Sequence, residues 1–261
     1  MNRLRLLIPN AFTALSFLFG IWVILLATGS MQSPLATKID LIFACHLVVI
    51  CALLDKLDGF AAKLLRASSE FGAQFDSLAD LIAFGLAPAF CVINAYQQFI
   101  PQWYAEHKIL LMLCLSVYVL CAAIRLARYN AIDANAHPDW FVGLPSTFVG
   151  ALNALLLILG YRYQLFQDGG RYVALPAFIF LITGLLMVAP LYLPKLKLRK
   201  SKMLNGIQLV GIVIGYALGL MMVYSEVILL LIASYALVGI GAGLVYRRGL
   251  HALESQKHAE V

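Results

Sequence analysis

Charge is what this sequence has least of. Asp, Glu, Lys and Arg make up 12% of its 261 residues, about half the share found in ordinary soluble domains. A chain that is 62% hydrophobic with mean hydropathy +0.89 cannot cover a folded surface in water. A soluble globular domain and a disordered chain are both excluded. No CxxC pair occurs among Cys45, Cys51, Cys91, Cys114 and Cys121, and all five lie in or beside apolar runs. They read as buried reduced thiols rather than as a metal or disulfide framework. Also missing is any polar stretch long enough for a separate soluble domain. The formal charge of +6 reads as cytoplasmic loops and contact with anionic lipid, not as a nucleic-acid surface.

Apolar runs are what the chain has instead. About 20 helical residues cross a bilayer core about 30 Å thick, and eight runs approach that length: 11–29, 39–62, 77–99, 108–128, 142–161, 172–192, 206–224 and 227–246. The expected fold is all-α, a polytopic membrane bundle of about eight helices. The first run exceeds the 7–15-residue apolar core of a signal peptide and reads as a span. With both ends cytoplasmic, only Lys38, Lys108, Arg162 and Arg171 of the 19 Lys and Arg fall outside, the bias expected of cytoplasmic loops. The run from Lys195 to Lys202 reads as a cytoplasmic anchor on anionic headgroups.

Against this apolar background four aspartates occupy 26 positions: Asp55, Asp58, Asp76 and Asp80. A central, unpaired charge costs about 2.5–3.5 kcal/mol on insertion scales, so these groups need partners. Asp55, Asp58, Gly59, Ala62, Lys63 and Arg66 fall on one stripe of a helix, and Gly72, Asp76 and Asp80 on one stripe of the next. The short connection around Ser68 and Ser69 predicts antiparallel neighbours, with either serine as N-cap and Glu70 at the positive end of the dipole. Folding the hairpin pools four carboxylates, which cannot all ionise without cations beside them. Hard oxygen ligands with no His or thiolate favour Mg²⁺, Mn²⁺ or Ca²⁺ over zinc, and two ions balance four carboxylates. With Lys63 and Arg66 nearby, these are the parts of a phosphoryl-transfer site. A cation or proton pathway and a purely structural cluster remain open on spacing alone.

The pattern resembles the signature of the CDP-alcohol phosphatidyltransferase family, D-x2-D-G-x2-A-R-x8-G-x3-D-x3-D. Here it reads Asp55, Asp58, Gly59, Ala62, Lys63, Gly72, Asp76 and Asp80, with every spacing kept and Lys63 in place of the family Arg. Flanking stretches, Ser69–Asp80, Gly85–Pro88, Ala123–Asn130 and Phe141–Ser146, are similar to the branch that makes phosphatidylserine. The resemblance covers roughly residues 7–195 and implies a catalytic membrane domain over residues 1–195, leaving 196–261 as a basic loop, two further spans and a cytoplasmic tail. It implies transfer of a phosphatidyl group from CDP-diacylglycerol to the hydroxyl of L-serine, with release of CMP. It implies Mg²⁺ or Mn²⁺, two ions, held by Asp55, Asp58 and Asp76 with Asp80 beside them. Asp80 is implied as the base, and Gly59, Ala62, Lys63, Arg66 and Gly72 as the border of the CDP moiety. A homodimer in the inner membrane, its active site facing the cytoplasm, is expected. Glycerol phosphate, inositol phosphate or choline as acceptor, and a cation-coupled transporter, are the rival readings.

Weaker signals are polar residues near the cytoplasmic ends. Arg125 and Arg128, at i and i+3, suit either loop anchors or a grip on a serine carboxylate or a phosphate. Asn130 and Ser146 offer further polar contacts. His46, inside the second run, reads as a hydrogen-bonded packing residue.

Overall fold

The computed structural model describes residues 3–29, 37–67, 69–133, 139–165, 172–195, 202–221 and 223–259. Each apolar run carries a helix: α1 (Arg3–Ala27), α2 (Thr37–Leu65), α3 (Glu70–Asp80), α4 (Ala87–Phe99), α5 (Pro101–Arg128), α6 (Ser146–Arg162), α7 (Leu175–Val188), α8 (Lys202–Met221) and α9 (Ser225–Ala259). Two π-helical turns interrupt the pattern. Leu81–Leu86 fuses α3 to α4, and Tyr129–Asp133 extends α5. Among the described residues, Leu7–Ala27, Glu70–Phe99, Pro101–Ile132 and Ser225–Tyr246 are long and apolar enough to cross a membrane, while α6 and α7 are shorter apolar helices. Large apolar side chains such as Ile109, Leu113, Leu230 and Leu237 point outward, as contact with lipid requires.

Two runs end differently from the expectation. Residues 142–161 and 172–192 lose their outer edges to a small antiparallel ladder, β1 (Trp140–Val142) with β2 (Tyr192–Pro194), in which Phe141 faces Leu193. The turn from β1 into α6 needs Gly143, whose φ of +78° and contact with the Met187 carbonyl leave no room for a side chain.

Most interior polar groups among the described residues are bonded, as an apolar medium favours. The Asn94 amide donates to the Ala27 carbonyl (2.8 Å), Asn153 to Thr183 (3.1 Å), and the Tyr96 hydroxyl to the Val173 carbonyl (2.6 Å). His46 is buried and its Nδ1 meets the Ile42 carbonyl at 2.8 Å, while its Nε2 has no partner. All five cysteines are buried and unbridged.

The π turn after Asp80 is clamped from both sides. Tyr118 of α5 donates its hydroxyl to the Phe84 carbonyl, and α6 comes so close that a Cβ at Gly150 would lie 2.6 Å from Phe84 Cβ. Gly150→Ala is therefore expected to cost about 2 kcal/mol by overpacking, read as a lower melting temperature in detergent. An unchanged melting curve would mean that α6 does not hold this turn.

Candidate active site

The carboxylates lie where α2 ends and α3 begins. Arg66, in the left-handed region at φ +49°, turns the chain out of α2, and Ser69 caps α3 by accepting the Gly72 N–H at 3.0 Å. Ser69 is thus the cap of the two serines foreseen, while Ser68 lies outside the described residues. Glu70 occupies the first turn. The hairpin is not the close pair that its short connection predicts. Direct packing between α2 and α3 is sparse, and α1 instead packs against both. A polar stripe on α1, Asn10, Thr13 and Ser16, faces this gap: Thr13 donates to Asp58, and Asn10 lies against Gly72.

Three carboxylates meet across the gap. One oxygen each from Asp55, Asp76 and Asp80 lies within 4.8 Å of the others. Asp58, buried at 7% exposure, stands beside Asp76 and takes the Thr13 hydroxyl at 2.9 Å. Lys56 pairs with Asp55 at 2.7 Å from the solvent side. So many like charges at such spacing are strongly repulsive without added cations. The donor set is all hard oxygen, and it fits a divalent cation of the magnesium type.

Further groups reach the cluster from α5 and α6. Ser146, first residue of α6, donates to Asp80 (3.2 Å) and accepts from the buried Arg125 guanidinium (3.0 Å). One hydroxyl thus links the deepest carboxylate to a buried cation. Asn130 donates to Ser77 at 2.7 Å, tying the end of α5 to α3. Arg128 is committed elsewhere, donating to the carbonyls of Val188 (3.0 Å) and Val142 (2.7 Å), and so joins α5 to α7 and β1.

The other foreseen positions border the opening. Lys63 is exposed on the last turn of α2 and Arg66 just past its end, and Ala62 is half-buried. A Cβ at Gly59 would meet nothing within 4 Å, so the helix there fronts open space beside Asp58. A Cβ at Gly72 would crowd the Ser69 hydroxyl and Asn10 at 3.0 and 3.1 Å, so its bareness serves the cap.

Acidic groups pooled between two helices, a cationic link behind them and an open flank in front suit a metal-dependent transferase of the membrane. The chain matches the profile of the CDP-alcohol phosphatidyltransferase family over residues 6–238, and it belongs to that family. It is an integral membrane protein, and its family is generally dependent on divalent metals. Among curated relatives, the CDP-diacylglycerol–serine O-phosphatidyltransferase of Helicobacter pylori is 35% identical over 193 residues, 73% of each chain. The protein of the same name from Mycobacterium bovis is 32% identical over 73% of this chain and 62% of its own. That from Bacillus subtilis is 34% identical over 42% of this chain and 56% of its own.

Proposed function

We propose that this chain transfers the phosphatidyl group of CDP-diacylglycerol to the hydroxyl of L-serine, giving phosphatidylserine and CMP. The observation that carries the reading is the meeting of Asp55, Asp76 and Asp80 beside the Arg125–Ser146 link, in a chain similar to enzymes of that name. Asp55, Asp58, Asp76 and Asp80 would hold two divalent cations, Mg²⁺ or Mn²⁺, which when bound supply positive charge to the donor pyrophosphate.

The chain's own groups do the rest. Asp80 accepts the proton of the acceptor hydroxyl while Ser146 fixes the orientation of its carboxylate. The freed oxygen forms a bond to the phosphorus that carries diacylglycerol. The bond from that phosphorus to the bridging oxygen breaks, and CMP leaves with the electron pair. Gly59 and Ala62 leave room for the nucleotide, and Lys63 and Arg66 offer it positive charge. The acyl chains stay in the bilayer, since leaving it costs about 0.8 kcal/mol per CH₂, so the donor enters sideways.

The surrounding assignments belong to the same proposal. Residues 1–195 form the catalytic unit, and 196–261 add a basic loop, two spans and a tail. The site faces the cytoplasm at the inner membrane, a reading supported by the distribution of Lys and Arg. A homodimer follows from the family resemblance.

The test is CMP release from CDP-diacylglycerol by membranes containing the protein, with a panel of labelled alcohols. Metal-dependent release with L-serine alone supports the proposal. Release with another alcohol would reassign the acceptor, and no release with ion flux lost in Asp76→Asn would make the chain a transporter. Lys63→Arg should turn over as fast as the unchanged protein or faster, because the arginine fork suits a pyrophosphate better than an ammonium. A large loss in steady-state rate would show a contact that only lysine can make.

A further inference from the structure

The transfer chemistry uses no residue beyond Ser146, yet a helix from the last part of the chain touches its metal-binding side. α8 packs on α2 over the turns that lead into Asp55. The Tyr216 hydroxyl donates to the Leu53 carbonyl at 3.0 Å. One turn along the same face, a Cβ at Gly219 would lie 3.0 Å from Leu53 Cδ1 and 3.6 Å from Val49 Cγ1. A bare glycine there lets α8 approach closely enough for the hydroxyl to reach the backbone of α2. Tyr216 is half-buried, within electrostatic reach of Asp55, Lys56 and Asp58.

Leu53 stands two residues before Asp55. In a helix its carbonyl takes the N–H four residues on, and its second lone pair is open to Tyr216 without any break in the helix. What the extra bond adds is restraint on how α2 sits. Direct packing between α2 and α3 is sparse, so α3 does little to fix the rotation of α2 that points Asp55 at Asp76 and Asp80. Two other helices do this. α1 holds one face, where Thr13 donates to Asp58 at 2.9 Å and the Cys51 thiol donates to the Ser16 carbonyl at 3.5 Å. α8 holds a face about 140–160° round the helix from Asp58 and Cys51, at Leu53. Bonds on nearly opposite sides fix the rotation of a helix that either alone would leave free to roll.

We infer that Tyr216 is a positioning residue for the metal site: through the Leu53 carbonyl, α8 holds the turn that carries Asp55 toward Asp76 and Asp80. Its hydroxyl proton is committed to that carbonyl, so Tyr216 acts through α2 and not on the substrate. This rests on the reading that the carboxylates hold divalent cations. It makes α8 a working part of the site and not an appendage to residues 1–195.

The experiment uses the full chain, in detergent for metal binding and in nanodiscs for turnover. Tyr216→Phe removes the hydroxyl alone. It should weaken Mn²⁺ binding, followed by electron paramagnetic resonance, about fivefold, or about 1 kcal/mol, the usual worth of one hydrogen bond. The Mn²⁺ concentration for half-maximal CMP release should rise by the same factor. At saturating Mn²⁺, kcat and the KM values for donor and serine should move less than twofold. Tyr216→4-aminophenylalanine, whose amino group can donate in place of the hydroxyl, should recover most of the affinity. A loss of affinity that this variant leaves uncorrected overturns the inference. A lower kcat or a higher donor KM with Mn²⁺ binding unmoved would put Tyr216 at the substrate, and overturns it too. If the unchanged protein binds no Mn²⁺, the metal reading fails and this inference with it. If the unchanged protein binds Mn²⁺ and Tyr216→Phe binds it as tightly, the inference fails alone, whatever the melting temperature.

Discussion

Asp80→Asn is expected to lower phosphatidyl transfer by about a thousandfold, within the range that a lost general base costs, or about 4 kcal/mol in the barrier. Asparagine keeps the shape of the side chain, and its amide oxygen still accepts the Ser146 hydroxyl that now reaches Asp80 at 3.2 Å. The fold should therefore survive, with the melting temperature in detergent within a few degrees of the unchanged protein. What is lost is the ability to take a proton, together with one charge of the cluster. Raising the Mn²⁺ concentration can restore metal occupancy but not the base, so turnover should stay low at saturating metal. Full recovery under those conditions would reduce Asp80 to a metal ligand and leave the proton without an acceptor.

Asp58→Asn should be as severe by a different route. Asp58 lies outside the closest group of oxygens but is buried beside Asp76, and its carboxylate takes the Thr13 hydroxyl of α1 at 2.9 Å. The amide oxygen of asparagine can keep that bond, so α1 should remain docked. The missing negative charge weakens cation binding at the site where the pyrophosphate needs it, and transfer should fall below detection, more than a thousandfold. Retention of fold is checked by gel filtration and melting, and activity by CMP release. Normal turnover by well-folded Asp58→Asn protein would remove this residue from the metal assignment.

How far the sequence alone reaches depends on the range of the interaction concerned. Hydropathy marks every helical run, because crossing a bilayer forces one long apolar segment per span. The i, i+4 spacing of Gly72, Asp76 and Asp80 is likewise local, and so is the Ser69 cap. The gap between α2 and α3 is not local. It depends on α1 packing against both helices, and its trace in the sequence is the polar spacing of Asn10, Thr13 and Ser16 within the apolar part of that helix. Three-residue strands that pair across 50 positions carry no alternation to read, so Trp140–Val142 and Tyr192–Pro194 look like span ends. Tyr216 is hidden in the same way. By composition it is one aromatic residue in an apolar run, and only the packing of α8 on α2 brings its hydroxyl to Leu53. Ser146 stands out only as one polar residue among several until the fold sets it between Arg125 and Asp80.

The account stands on carboxylates from two membrane helices acting together as a seat for divalent cations, and the most direct measurement is equilibrium Mn²⁺ binding by the purified chain, followed by electron paramagnetic resonance. The unchanged protein should bind Mn²⁺ saturably and release it to excess Mg²⁺, and Asp76→Asn, which takes one charge from the centre of the group, should weaken binding at least tenfold while the protein stays folded. Saturable binding of equal strength in Asp76→Asn, or none in the unchanged protein with donor present, would contradict it.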